Sequence, residues 1–214
     1  MTRLTFTTRI LKPLGFVAAL GPLAWLLWRG WRLSRGDDQA LLADPVKTIQ
    51  VTTGLTTLVL LLCTLLVSPV RKVFHYSELI RVRRMLGLFA FAYALLHAVT
   101  YFVFDQSLDL GRIGADTVKH PRIAVGFVAF LLLIPLALTS TDASVRRLGK
   151  RWGRLHQLVY LATALSVLHY LMVQKLDIRE GLVFAGLFTL LMLFRLPRWL
   201  PARRTAPPPS RSAA

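Results

Sequence analysis

Charged residues thin out over six stretches of this chain and collect between them. The apolar runs cover roughly Leu11–Trp28, Ile49–Val67, Leu86–Phe104, Ile123–Leu138, Leu155–Val173 and Gly181–Phe194. Each is near or slightly below the ~20 residues that carry a helix across a bilayer. In lipid the backbone must satisfy its own hydrogen bonds, and none of the runs alternates as a barrel strand would. The pattern therefore predicts an all-α integral membrane protein, a six-transmembrane-helix bundle over residues 1–200. Pro22 and Pro135 fall inside two runs and predict kinks, which neighbouring helices make tolerable. The first run has the basic start and apolar core of a signal peptide, but further spans follow it, so it reads as a retained first helix. Residues 201–214 are rich in Pro, Ser and Ala without an apolar period, and read as a disordered cytoplasmic tail.

The connections orient the bundle. Taken alternately from the N-terminus, one set of flanks carries 18 Lys and Arg and the other 9. Acidic residues divide the opposite way, with Glu78 and Asp142 against Asp37, Asp38, Asp44, Asp105, Asp109, Asp116, Asp177 and Glu180. Basic residues accumulate in cytoplasmic connections, so both termini are predicted inside. Trp25, Trp28, Trp31, Trp152 and Trp199 lie near segment ends, as an interfacial aromatic belt would. Two inner connections are especially basic. One holds Arg71, Lys72, Arg81, Arg83 and Arg84, the other Arg146, Arg147, Lys150, Arg151 and Arg154. They suit anionic membrane lipid, an acidic partner or a phosphate-bearing cofactor.

Composition narrows the class. With 55% hydrophobic residues and a mean hydropathy of +0.54, the 214-residue chain is too apolar for an ordinary soluble domain. Its net charge of +17 would point a soluble protein toward nucleic acid. Here topology accounts for the charge, and the apolar runs leave no soluble domain to bind nucleic acid. Cys63 is the one cysteine, so no intrachain disulfide forms; without a CxxCH motif, any heme is b-type. There is no GxGxxG and no phosphate loop, so no nicotinamide site is visible.

Three histidines lie in the apolar runs. Ionisable groups at membrane depth are costly and mark functional sites, and histidine is a standard axial ligand of heme iron. His97 sits seven residues before the end of the third run and His169 four before the end of the fifth. Both helices run the same way, which puts the two imidazoles ~10 and ~6 Å from one membrane edge, close enough in depth to share one heme. His156 lies 13 residues before His169, ~20 Å away along the axis and roughly 140° round an ideal helix. It has no histidine opposite it on the third helix, where Arg84 and Leu86 stand; His75, in the preceding connection, is a distant imidazole on that side. Two redox groups, or a local helix irregularity, would reconcile this. Histidines in membrane helices also serve as hydrogen-bonding contacts between helices, and His75 and His120 read as loop residues.

At these residues the chain resembles a known family. LGLFAFAYALLHAVTYFVFD, then LALTSTDASVRRLGKRWGRLHQLVYL, then LHYLMVQK, resemble the heme-binding membrane subunits of the protein-methionine-sulfoxide reductase system, the MsrQ or YedZ family. That family belongs to the ferric-reductase-like transmembrane superfamily. The resemblance implies a ferric-reductase-like transmembrane domain and ligation of one or two hemes b by His97, His156 and His169. It implies a bacterial inner-membrane location and electron delivery to MsrP, a periplasmic molybdopterin methionine sulfoxide reductase that repairs oxidised methionines. It further implies that the electrons come from the quinone pool or a cytosolic flavin reductase, and FMN is associated with the family. The larger oxidases of the superfamily carry two histidines on the third helix, whereas the position fourteen before His97 is Arg83. Arg83 and Arg84 suit heme propionates or a flavin phosphate.

Three functions follow from the pattern. The first is an electron-transfer subunit of an oxidoreductase complex, without the sulfoxide-reducing site itself and with the acidic outer connections as its docking face. The second is a self-contained ferric or metal reductase, or a quinol-oxidising cytochrome b. The third is a heme-free transporter whose histidines relay protons.

Overall fold

The computed structural model describes residues 7–37, 41, 44–174 and 178–195; Asp38, Asp177, Trp199 and the 201–214 tail lie outside them. Every regular element among the described residues is helical. A π-helical turn, Thr7–Leu11, leads into α1, Lys12–Ser34. Then come α2, Pro45–Val73; α3, Ile80–Thr100; and the short α4, Leu110–Lys119. They are followed by α5, Pro121–Leu138; α6, Asp142–Leu148; α7, Lys150–Leu155; α8, Leu158–Val173; and α9, Arg179–Leu193.

Five helical stretches are long and apolar enough to cross a membrane: 9–34, α2, 80–105, α5 and 150–173. The sixth, α9, has 15 residues, ~23 Å of rise, and is tied to the bundle at both ends. Near its start Glu180 accepts from the Tyr170 hydroxyl at 2.9 Å. Just past its end the buried Arg195 donates to the carbonyls of Leu191 and, on α2, Leu65. The chain is thus a multi-pass membrane bundle of six helices.

The helices outrun the apolar runs because caps, not hydrophobicity, end them. Asp44 accepts from the Lys47 amide at 2.9 Å and Pro45 follows it, so α2 starts four residues before Ile49. It ends beyond Arg71 and Lys72, charged residues a lipid core would not hold. Two antiparallel pairs, α2 with α3 and α5 with α8, supply the two largest shares of the packing. Leu58, Leu61, Leu65, Ala90, Tyr93, Leu133 and Ala162 form the core between them. Large apolar side chains such as Val17, Leu27, Leu138 and Val183 remain exposed, as a surface facing lipid tails requires.

Both prolines named above lie within continuous helices. At Pro22 the buried Tyr93 hydroxyl inserts into the α1 ladder, accepting from the Leu23 amide at 3.0 Å and donating to the Ala19 carbonyl at 2.7 Å. Neighbour insertion of this kind keeps a proline helix satisfied inside a membrane. Two features are not marked by the apolar pattern. The connection from α3 to α5 contains the amphipathic α4, and the fifth span is interrupted at His156–Gln157, between α7 and α8.

Candidate functional site

Near the acidic end of the bundle, where α3 and α8 both finish, two histidines meet. The rings of His97 and His169 have centres 6.2 Å apart and planes at 81°. Each ring is held in the same way. His97 Nδ1 is 3.0 Å from the Gln50 carbonyl oxygen, and His169 Nδ1 is 2.7 Å from that of Arg122. A carbonyl only accepts, so Nδ1 carries the proton in both rings and Nε2 keeps its lone pair. One turn after each carbonyl a glycine meets the ring. A Cβ at Gly54 would lie 3.0 Å from His97 Nδ1, and one at Gly126 2.7 Å from His169 Nδ1.

The two cradles repeat one design. Carbonyl and histidine are 47 residues apart in each. Gln50, Gly54 and His97 map onto Arg122, Gly126 and His169 by a single shift of 72 residues (169 less 97). The same shift carries Arg84 onto His156.

The pair can hold one iron. Two metal–nitrogen bonds of ~2 Å, with the two ring radii, span roughly 6 Å between ring centres. Ligating histidines normally donate their other ring N–H to a carbonyl or carboxylate, as both do here. Among the described residues no three His, Cys, Asp or Glu side chains gather as a protein-only metal site would need. A heme iron needs only two axial imidazoles, so the donor set fits heme rather than a bare metal.

Toward the basic end lies a cavity of about 300 Å³, lined in part by Arg83, Arg84, Trp152, His156, Gln157 and Tyr160. His156 occupies the break between α7 and α8. Its ring stacks on Trp152 at 4.0 Å and 26°, and its Nε2 is 3.1 Å from the Thr139 hydroxyl. That hydroxyl donates to the Pro135 carbonyl at 2.6 Å, so it accepts from Nε2–H, the reverse of the arrangement at His97 and His169. The Trp152 indole donates to the Thr139 carbonyl at 2.9 Å. Trp152 therefore forms part of the cavity wall at the start of the fifth span. Trp25, Trp28 and Trp31 do sit at the α1 end, under Arg29, Arg32 and Arg35 at 4.5, 5.0 and 5.5 Å.

The structure brings no second imidazole to His156. Among the described residues it is the one histidine in the cavity lining. His75 sits in a turn with φ of 50°, and His120 lies 3.3 Å from Asp116. Arg84 donates to the Ser140 carbonyl at 2.9 Å and to Asp142 at 2.5 Å, so its charge is already met. Arg83 shares the cavity lining with Tyr160 and has no ion pair among the described residues.

Three acids that the sequence offers as a docking face are engaged within the fold. Asp105 accepts from Gln50 at 2.5 Å. Asp109 caps α4 through the Gly111 and Arg112 amides at 2.8 and 3.1 Å. Asp116 accepts from Tyr101 at 2.7 Å and Gln106 at 3.0 Å.

A six-helix membrane bundle that presents paired imidazoles across two antiparallel helix pairs falls among the ferric-reductase-like proteins. Residues 53–167 match the family described as Ferric reductase like transmembrane component. The chain is 45% identical over 204 residues, 93% of this chain and 94% of the relative, to a Xanthomonas euvesicatoria protein named "Protein-methionine-sulfoxide reductase heme-binding subunit MsrQ". A protein of the same name from Rhodospirillum rubrum is 46% identical over 196 residues, 91% of each chain. The chain belongs to the MsrQ family.

Proposed function

We propose that this chain is a heme-bearing electron-transfer subunit that carries electrons across a bacterial inner membrane to a periplasmic methionine sulfoxide reductase, the MsrP type. The observation that carries the proposal is the meeting of His97 and His169 with both Nδ1 protons bound to carbonyls and both Nε2 atoms free. The relatives' name, which specifies heme binding and methionine sulfoxide reduction, supports the same reading.

In this account His97 and His169 would hold a heme b near the periplasmic face through their Nε2 atoms. Bound there, it would supply a one-electron couple, suited to electron transfer rather than to binding substrate. The Gln50 and Arg122 carbonyls fix the tautomers, and the packed α2–α3 and α5–α8 pairs exclude water. At the cytoplasmic end, His156 and Trp152 face a cavity whose arginines suit the acidic groups of a second heme or of FMN. A second heme on His156 would lack an opposite histidine and would require Nε2 to leave Thr139. FMN would use Arg83 for its phosphate and Trp152 as a stacking face. Both termini lie in the cytoplasm, residues 1–200 form the membrane domain, and electrons enter at the cavity from quinol or a flavin reductase.

The experiment is reduction of the purified protein followed by addition of MsrP-type reductase and a sulfoxide-bearing protein. Reoxidation of a b-type spectrum with turnover is expected. Reoxidation by ferric chelates or quinone but not by the reductase replaces this reading with the self-contained reductase. Absence of any heme spectrum leaves the histidine proton relay.

A further inference from the structure

We propose that the two cradles hold the His97 and His169 imidazoles crosswise to tune the heme between them, with Gly54 and Gly126 as positioning residues. The inference rests on the heme reading above.

The planes stand at 81°, and two constraints fix each ring. The hydrogen bond from Nδ1 to a helix carbonyl sets the rotation of the ring about its Cβ–Cγ bond. The glycine one turn further on lets the ring lie close: a Cβ at Gly126 would stand 2.7 Å from His169 Nδ1, nearer than real Cβ atoms come, and one at Gly54 3.0 Å from His97 Nδ1, where the ring would have to give by a few tenths of an ångström. The carbonyls belong to different helices, α2 and α5, so the two planes are set independently. Ordinary small-residue packing does not account for the glycines, because the groups they meet are the imidazoles themselves. Gly21, Gly30, Gly87, Gly153 and Gly186 meet nothing within 4 Å.

The angle has an electronic consequence. An imidazole donates π density into the iron d orbital perpendicular to its own plane. Parallel rings raise one orbital and split the pair; crossed rings raise both and leave them nearly equal. A ferric center with crossed ligands therefore gives a highly anisotropic low-spin EPR signal with one large g maximum, whereas parallel ligands give a rhombic signal. Crossed donors also stabilise the ferric hole less, so the midpoint potential stands above that of the parallel arrangement. A raised potential draws the electron toward the end of the chain from which it leaves.

The test is EPR and redox titration of the oxidised His156→Ala protein, in which the His97–His169 center alone contributes. A highly anisotropic low-spin signal is expected. Gly126→Ala must turn the His169 ring or break its bond to Arg122, which should move the signal toward rhombic and lower the potential. Gly54→Ala should do the same to a smaller degree, and Gly186→Ala should change neither. Loss of heme from Gly126→Ala supports the cradle, and Gly54→Ala then reads the angle. A rhombic parent signal, or a Gly126→Ala protein with full heme and unchanged signal and potential, overturns the inference while leaving bis-histidine ligation intact. A parent with no low-spin heme overturns ligation itself.

Discussion

An imidazole becomes a good iron ligand when one nitrogen is tied up and the other is left free. His97 and His169 meet that condition through carbonyls 3.0 and 2.7 Å away; His156, with Nε2 on Thr139, does not. His156→Ala is therefore expected to alter the cavity center and slow reduction from the cytoplasmic side while the His97–His169 spectrum survives. Stopped-flow reduction and the optical spectrum check this, and unchanged kinetics would return His156 to a packing role. Tyr93→Phe removes the hydroxyl inserted at Pro22. Losing a buried hydrogen-bonding group costs ~1–3 kcal/mol, read as a lower thermal midpoint in detergent with heme content retained. At this scale the sequence is legible where a residue is out of place: a histidine at membrane depth announces itself. Gly54 and Gly126 do not, since glycine is frequent in membrane helices, and the carbonyls of Gln50 and Arg122 leave no mark in side-chain identity. Comparing the chain with itself at a 72-residue shift is the signal that finds them. Trp152 lies near a span end as expected, but its place in the cavity wall is not legible, because an aromatic there fits a lipid interface and a cavity wall equally well.

Among the elements, the apolar runs locate the spans but not their ends. Capping by Asp44 and Pro45, and the basic last turn of α2, extend that helix past its hydrophobic stretch. The break at His156–Gln157 has no proline or glycine to signal it, and the amphipathic α4 is too polar to stand out from a loop. Helix contacts depend on small residues in the same hidden way. A Cβ at Gly181 would lie 2.5 Å from Leu171 Cδ2, where α9 meets α8. Gly181→Val is expected to destabilise by ~1–3 kcal/mol through overpacking, measured as a lower thermal midpoint, with Gly186→Ala near neutral. Arg84→Ala frees the Asp142 contact between α3 and α6. The pair is half exposed, so little stability is lost. The expected effect is local, a changed spectrum or occupancy of the cavity group with the His97–His169 signal unaltered.

For the whole molecule, the 18-to-9 division of Lys and Arg predicts the orientation of the bundle. A reporter active only outside the cytoplasm should give signal at Gly111 and none at Gly149; the opposite pattern reverses the direction of electron flow. Six spans and the three histidines within them are readable from the sequence pattern, because lipid leaves the backbone few choices. Which side chains line the cavity was not, because that depends on how the helix pairs turn toward each other. Whether the acidic end offers a docking surface likewise depends on the assembled fold. Asp109 and Asp116 serve α4 first, so their reversal should disturb that helix, seen as faster local hydrogen exchange, as well as partner binding. The central claim is that His97 and His169 hold the same heme, and counting heme tests it most directly. Heme per chain should fall by the same single equivalent in His97→Ala, in His169→Ala and in the double variant. Losses that add in the double variant, or single variants that keep the full wild-type heme and spectrum, would contradict it.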